Sequence, residues 1–111
     1  MNKKINIEDI RKFVKTRSII WTKHCLNRIN KRDILIKDIK TAICNGKIIE
    51  YYYEDYPYPS CLIAGRDINC NLIHIVCGIN NNFVYMITAY YPDNNKWEDD
   101  MKTRRENNGM F

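Results

Sequence analysis

Apolar residues before position 46 recur at helical spacing and predict three amphipathic helices. The first helix extends to about Arg17 and carries acids in its first turn, where the helix dipole favours them. The second runs from a plausible N-cap at Thr22 to about Lys31. The third follows a possible cap at Asp33 and ends at Gly46, which we expect to adopt the left-handed conformation of a C-cap.

After position 46 the pattern becomes strand-like, and short Asn-rich or Pro-containing connections separate the apolar runs. The third run is apolar on both faces, so we expect it at the centre of the sheet. Helices followed by an antiparallel meander indicate a single α+β domain over residues 1–111, with helices on one sheet face and the opposite face available for a ligand. The four predicted strands are 47–53, 60–68, 72–79 and 83–91.

A basic ridge is expected along the second helix. Residues four apart share a helix face, so His24, Arg28 and Arg32 should lie in line while Leu26 and Ile29 turn toward the core. One imidazole and two guanidiniums in a row suit a phosphate. The same pattern is also compatible with an ordinary solvated helix face in a Lys-rich protein.

Charge is distributed unevenly along the chain. Residues 1–47 carry 13 Lys/Arg against 4 Asp/Glu, a net charge of +9, whereas residues 48–111 carry 5 against 9, a net charge of −4. Such a one-sided field is typical of proteins that bind RNA or DNA. The richness in Ile, Asn, Lys and Tyr also matches the bias that an AT-rich genome imposes, so the spaced arginines are the better evidence.

The five cysteines do not form a recognisable metal motif, because none belongs to a Cys-x-x-Cys pair or lies near spaced histidines. We expect no zinc, other metal or cofactor, and we expect Cys44, Cys61 and Cys77 to be reduced core residues. No apolar run approaches the length of a membrane span, and the basic N-terminus lacks the apolar run of a signal peptide. These features favour a cytoplasmic protein with no membrane partner.

Polar groups on two predicted strands provide further candidates. His74 lies in the third strand, where a lone histidine is more often structural than catalytic. Thr88 and Tyr90 share a face of the fourth strand with Val84 and Met86, and they meet His74 only if the register aligns the strands. Five tyrosines between positions 51 and 58 either stack on bases or cover a sheet edge.

The sequence lacks a Gly-rich phosphate loop, a nucleophile elbow and a carboxylate cluster for two metals. RNA cleavage without metal requires a base for the 2′-OH proton, an acid for the 5′-oxygen and cations for the phosphate. Histidine titrates near neutrality and arginine binds phosphate oxygens, so the chain contains these parts.

Several short motifs, in order along the chain, resemble the domain-of-unknown-function family 4258. They are Trp21-Thr-x-His24-Cys-x-x-Arg28-Ile-x-x-Arg32, Ala42-Ile-x-Asn-Gly46-x-Ile-Ile-Glu-Tyr, Tyr56-Pro-Tyr-Pro-Ser-Cys-Leu-Ile-x-Gly65, Leu72-x-His74, Ile87-Thr-Ala-Tyr-x-Pro92, Trp97 and Lys102-Thr-Arg-Arg105. That family is similar to the fold shared by RelE, barnase and related ribonucleases.

The resemblance implies a RelE-like toxin domain, in which helices pack on a four-stranded antiparallel sheet, and a metal-independent endoribonuclease activity. It implies two partners: RNA, with messenger RNA on the ribosome as one form, and a cognate antitoxin of zinc-finger and helix-turn-helix build. The alternative is a non-catalytic RNA- or protein-binding module on the same fold. The residues carried over are, as catalytic candidates, His24, Arg28, His74 and Tyr90 and, as substrate-binding candidates, Arg32, Thr88, Arg104 and Arg105.

Overall fold

A computed structural model describes residues 4–93 as three helices and five strands. The strands form one sheet in the order β1-β5-β4-β3-β2. The α+β class is therefore confirmed, whereas the predictions for Trp97, Arg104 and Arg105 lie outside the described residues. The elements are α1 (Ile7–Lys15), β1 (Ile19–Trp21), α2 (Lys23–Lys31), α3 (Ile36–Asn45), β2 (Lys47–Tyr52), β3 (Ser60–Arg66), β4 (Leu72–Ile79) and β5 (Val84–Tyr90).

The prediction of four antiparallel strands is wrong, because β1 adds a fifth strand and makes the sheet mixed. β1 pairs in parallel with β5, from Ile19 opposite Val84 to Trp21 opposite Met86. A strand of three residues between two helices is too short to show a period of two, and its parallel partner lies more than 60 residues away along the chain. The other three strand pairs are antiparallel, as predicted.

The central position predicted for the third apolar run is confirmed, since β4 lies in the middle of the sheet. Residues Ile73, Ile75 and Cys77 of β4 are fully buried in the core with the apolar faces of all three helices. His74 and Val76, which alternate with them, therefore point to the opposite face of the sheet. Within residues 4–93, the helices are all shorter or more polar than a membrane crossing demands.

The ends of α2 and α3 differ from the prediction. Asp33 does not begin α3; it has a φ of 55° directly after the C-cap of α2, so it belongs to the end of that helix. The N-cap of α3 is Leu35, whose N–H donates to the Asp38 carboxylate at 2.9 Å. Gly46 is extended rather than left-handed, with a φ of −93°. Arg11 satisfies the end of α3 from outside, since it donates to the Ile43 carbonyl at 3.0 Å and to the Gly46 carbonyl at 2.7 Å.

Two side-chain placements from the sequence are also wrong. Leu26 is 40% exposed, and Cys25 takes its place in the core beside Ile29. The apolar stripe of α2 runs through positions 25 and 29, which are four apart, whereas position 26 lies about 100° further around the helix. Cys44 is exposed near the end of α3, whereas Cys61 and Cys77 are buried and reduced as expected.

A β-bulge in β5 changes which side chains share a face. Cys77 of β4 lies opposite Met86, but Val76 lies opposite Thr88, so Ile87 is the extra residue. Val84 and Met86 consequently face the core, while Thr88 and Tyr90 face the other side. The expectation that all four share one face is wrong, because it assumed an uninterrupted alternation along the strand.

Candidate functional site

The start of α2 is held against β5 by Thr22. Its hydroxyl oxygen accepts a hydrogen bond from the Cys25 N–H at 3.0 Å and donates one to the Met86 carbonyl at 2.8 Å. The side chain thus caps the helix and also fastens it to the strand. With Cys25 and Ile29 buried, His24 and Arg28 are exposed along one side of α2, as the spacing predicts.

Arg32 connects this helix side to the sheet. Its Nη1 donates to the Ala89 carbonyl at 2.8 Å and to the Thr88 hydroxyl at 3.3 Å. Among residues 4–93, no strand pairs with the outer edge of β5 beyond Met86. The Ala89 carbonyl lies on this edge, and Arg32 gives it the hydrogen bond that a neighbouring strand would otherwise supply. Within the same part of the chain both side-chain contacts of Arg32 use Nη1, which leaves Nη2 available for a phosphate oxygen.

The strand candidates meet on the sheet face that lies opposite the core. His74 is directly opposite Tyr90 in the β4–β5 register, and the two rings pack edge to face with centroids 5.5 Å apart. Thr88 occupies the next row on the same face, opposite Val76. The register therefore aligns His74, Thr88 and Tyr90, and Arg32 joins them from the end of α2.

Accessibility on this face is limited to part of the sheet. His74 and Leu62 have no exposed surface and Ala64 is 3% exposed, whereas Thr88 and Tyr90 are partly exposed. The expectation that the face opposite the helices is available for a ligand thus holds on the β5 side of the sheet, next to α2. A bound phosphodiester would meet the ridge, Thr88 and Tyr90 there, with His74 behind Tyr90.

Most of the clustered tyrosines lie away from this place. Tyr51 and Tyr53 stack on each other at the opposite sheet edge, with centroids 5.4 Å apart and ring planes 3° from parallel. Tyr58 packs edge to face against Phe83 and Tyr85. The expected role in covering an edge therefore fits Tyr51 and Tyr53.

Glu50 is a polar residue of this face that the sequence did not single out. A bulge in β2 between Ile48 and Glu50 places the carboxylate on the same cross-strand row as Leu62, Val76 and Thr88. Three strand spacings separate it from Thr88, roughly 14 Å. That distance is too long for both groups to contact one phosphodiester, so Glu50 does not belong to the β5 cluster.

A buried hydrogen-bond network supports the sheet end next to Arg32. The Asp67 carboxylate accepts from Tyr91 Oη at 2.8 Å and from the N–H groups of Asn69 and Asn71 at 2.9 and 2.8 Å. Burial alone would raise the pKa of Asp67, but these hydrogen bonds outweigh it and hold the pKa below its usual value. Burial and the bond to Asp67 raise the pKa of Tyr91 to about 12.

Taken together, the fold and the site define a small α+β domain in which a basic helix flanks the accessible strand of a mixed sheet. The chain belongs to the family described as Domain of unknown function (DUF4258), whose model matches residues 21–91. The match includes His24, Arg28, Arg32, His74, Thr88 and Tyr90. Searches of curated proteins and of solved structures found no match.

Proposed function

We propose that this protein is a metal-independent endoribonuclease and the toxin of a toxin–antitoxin pair, built on a RelE- and barnase-like ribonuclease fold. The observation that carries the proposal is the contact between Arg32 and Thr88, because it brings the basic ridge of α2 and the polar end of β5 to one place. A phosphate there would meet arginine, imidazole and phenol groups from two elements.

The reaction would proceed by attack of the ribose 2′-oxygen on the adjacent phosphorus. The 2′-OH loses its proton to a base, the P–O5′ bond breaks, and an acid protonates the leaving 5′-oxygen, which yields a 2′,3′-cyclic phosphate and a 5′-OH. Arg28 would bind the non-bridging oxygens of the scissile phosphate, whose charge increases in the transition state, and Arg32 would bind the next phosphate of the strand. His24 is exposed one helical turn from Arg28, so it would transfer one of the protons.

Tyr90 and His74 would act as a pair. Tyr90 is partly exposed and would contact the substrate, whereas His74 is fully buried and packs edge to face against the Tyr90 ring. We therefore assign His74 a positioning role in place of the direct catalytic role that the sequence suggested. Thr88 would orient Arg32 through their hydrogen bond.

Inducible expression with mapping of RNA 5′ ends tests the proposal. Wild-type protein should generate new 5′-OH ends, and a His24→Ala, Arg28→Ala double variant should reduce them by roughly a hundredfold or more. Lys23→Ala is the matched control, since Lys23 is an exposed, positively charged residue on another face of α2. Equal cleavage by wild type and double variant would contradict the assignment of the ridge.

One observation favours a second candidate, a non-catalytic RNA-binding module. Of the two histidines in the chain, both within the described residues, His74 is buried and His24 alone is exposed. A single exposed imidazole is fewer than a two-histidine acid–base mechanism needs. This candidate predicts salt-dependent RNA binding by the wild-type protein with no new 5′ ends.

The partner proposal follows from the same surface. A basic ribonuclease face is harmful when free, so we expect an antitoxin, of zinc-finger and helix-turn-helix build, with an acidic or strand-forming segment that covers the ridge. Co-expression of the neighbouring small gene should restore growth and give a stable complex. If high expression of the protein alone is harmless and no neighbour-encoded protein co-purifies, the toxin–antitoxin assignment fails.

A further inference from the structure

A shallow groove of about 570 Å³ lies at the end of the sheet, directly beyond the basic ridge. The end of α2, the β3–β4 connection and the residues after β5 meet around it. Arg32, Asp33, Asn71, Leu72, Tyr91 and Pro92 line the groove. Arg32 therefore belongs both to the ridge and to the groove.

Tyr91 forms a rigid aromatic wall of this groove. Its side chain is 42% exposed, yet its hydroxyl donates to the Asp67 carboxylate at 2.8 Å. Asp67 is itself held by two backbone N–H groups of the β3–β4 connection. The ring is thus fixed before any ligand arrives, which reduces the entropy that a stacked ligand must overcome.

Charge determines how a nucleotide would enter the groove. Asp33 lines it beside Arg32, and the ionised Asp67 lies behind Tyr91, so a phosphate would be repelled from its interior. The guanidinium of Arg32, at the entrance, attracts that phosphate instead. A neutral base, in contrast, would find one aromatic ring, the Pro92 and Leu72 side chains, and polar groups able to contact its edge.

The ridge has the spacing to lead a strand into this groove. Successive ridge residues are separated by four helical positions, a rise of roughly 6 Å, which an extended single strand can match phosphate for phosphate. A duplex would keep its bases paired and unable to reach the Tyr91 ring. The observations thus favour a single strand with an unpaired base.

We infer that this groove is a stacking subsite for one unpaired base of single-stranded RNA, whose phosphate is bound by Arg32. The inference rests on the proposed function and specifies its substrate as unpaired RNA that crosses the ridge. Tyr91 then contributes to substrate affinity and cleavage-site choice, while His24 and Arg28 act on the phosphodiester.

Binding of a fluorescent 2′-O-methyl oligoribonucleotide, which lacks the attacking hydroxyl, measures the subsite separately from cleavage. Tyr91→Leu should weaken binding roughly tenfold, as expected for loss of one base–aromatic stack. Tyr91→Phe keeps the ring and should bind within about threefold of the wild type. Tyr53→Leu is the matched control, because Tyr53 is 41% exposed at the opposite sheet edge, and it should leave binding unchanged.

Photocrosslinking of wild-type protein to a 5-iodouridine oligonucleotide keeps the test valid if Tyr91→Leu fails to fold. The crosslinked peptide should contain Tyr91. The subsite is wrong if Tyr91→Leu binds the probe as tightly as the wild type does, or if the crosslink maps to Tyr53. When Arg28→Ala still weakens binding in the same assay, the proposed function survives that result. If the wild-type protein does not bind the probe at all, the proposed function fails as well.

Discussion

Neighbouring residues of α2 have opposite environments, and this decides what each substitution should do. His24, Leu26 and Arg28 are exposed, whereas Cys25 and Ile29 are buried. An exposed side chain can bind a ligand without supporting the fold. Cys25 and Ile29 are apolar core side chains, so their truncation should affect activity through unfolding alone.

Single substitutions on α2 should therefore separate activity from stability. Ile29→Ala should lower the free energy of unfolding by about 2–5 kcal/mol, the cost of a truncated core side chain. Leu26→Ala should cost less than about 1 kcal/mol, since Leu26 is 40% exposed. His24→Ala and Arg28→Ala should keep the thermal midpoint within a few degrees.

The same variants should differ in RNA cleavage. His24→Ala should lower the rate by roughly a hundredfold, the scale of one acid–base group, while Leu26→Ala should remain near wild type. Urea denaturation and a single-turnover cleavage assay measure the two properties on the same preparations. A folded His24→Ala variant with undiminished cleavage would falsify the catalytic assignment.

Asp67 makes a residue-scale prediction about pH. Its folded pKa is below the usual value, so its contribution to stability is present above the unfolded pKa and is lost as pH falls through the folded pKa. Asp67→Asn should lower the free energy of unfolding at pH 7 by about 1–3 kcal/mol, and the difference should shrink below about pH 4.

Urea denaturation at a series of pH values from neutral to acid checks this dependence. Asp33→Asn is the control, because Asp33 is exposed and asparagine tolerates its φ of 55°. A difference between wild type and Asp67→Asn that stays constant down to acid pH would show that charge at Asp67 does not support the network.

At the scale of elements, α3 and β3 approach each other unusually closely. A Cβ atom on Gly65 would lie 2.1 Å from the Ala42 carbonyl oxygen and 3.0 Å from the Ala42 Cα. Both are main-chain atoms of α3, which cannot rotate away as a side chain can. The α3 backbone therefore contacts the β3 backbone directly at this point, and this contact fixes the helix on the sheet.

Gly65→Ala should consequently destabilise the protein by about 1–3 kcal/mol through overpacking. Gly78→Ala is the matched control, since a Cβ there would meet the Tyr85 ring, a side chain that can move. In thermal unfolding, the midpoint of Gly65→Ala should be lower than that of Gly78→Ala. The opposite order would mean that α3 shifts on the sheet more readily than the Tyr85 ring turns.

The short strand β1 is the element that places α2 beside β5. β1 ends at Trp21, Thr22 caps α2 and bonds to the Met86 carbonyl, and Arg32 bonds to the Ala89 carbonyl at the other end of the helix. The helix is therefore fastened at both ends to the same strand. This attachment keeps the ridge next to Thr88 and Tyr90.

At the scale of the whole molecule, the residues described in the structure contain no group of three or more His, Cys, Asp and Glu side chains that could hold a metal ion. The proposed mechanism balances the charge of the phosphate with arginines, so RNA cleavage should persist in EDTA. A metal-dependent nuclease in the same buffer serves as the control for chelation. If chelation abolishes cleavage and one divalent ion restores it, the metal-independent mechanism is wrong.

Local patterns in the sequence determined much of the architecture. Three of these patterns are visible in residues close together along the chain: the change from helical to strand-like spacing at Gly46, the apolar character of β4 on both faces, and the steps of four in α2. For this reason the α+β class, the central strand and the exposed positions of His24 and Arg28 could be predicted from residues alone.

Tertiary structure decided where the polar groups meet. A strand as short as β1 carries no period, and its pairing with β5 depends on a distant partner. The bulge at Ile87 depends on the register with β4, and because side chains alternate with a period of two, that single extra residue moves Thr88 and Tyr90 to the face of His74. The burial of His74 and the reach of Arg32 to β5 likewise depend on packing between elements, which no local pattern encodes.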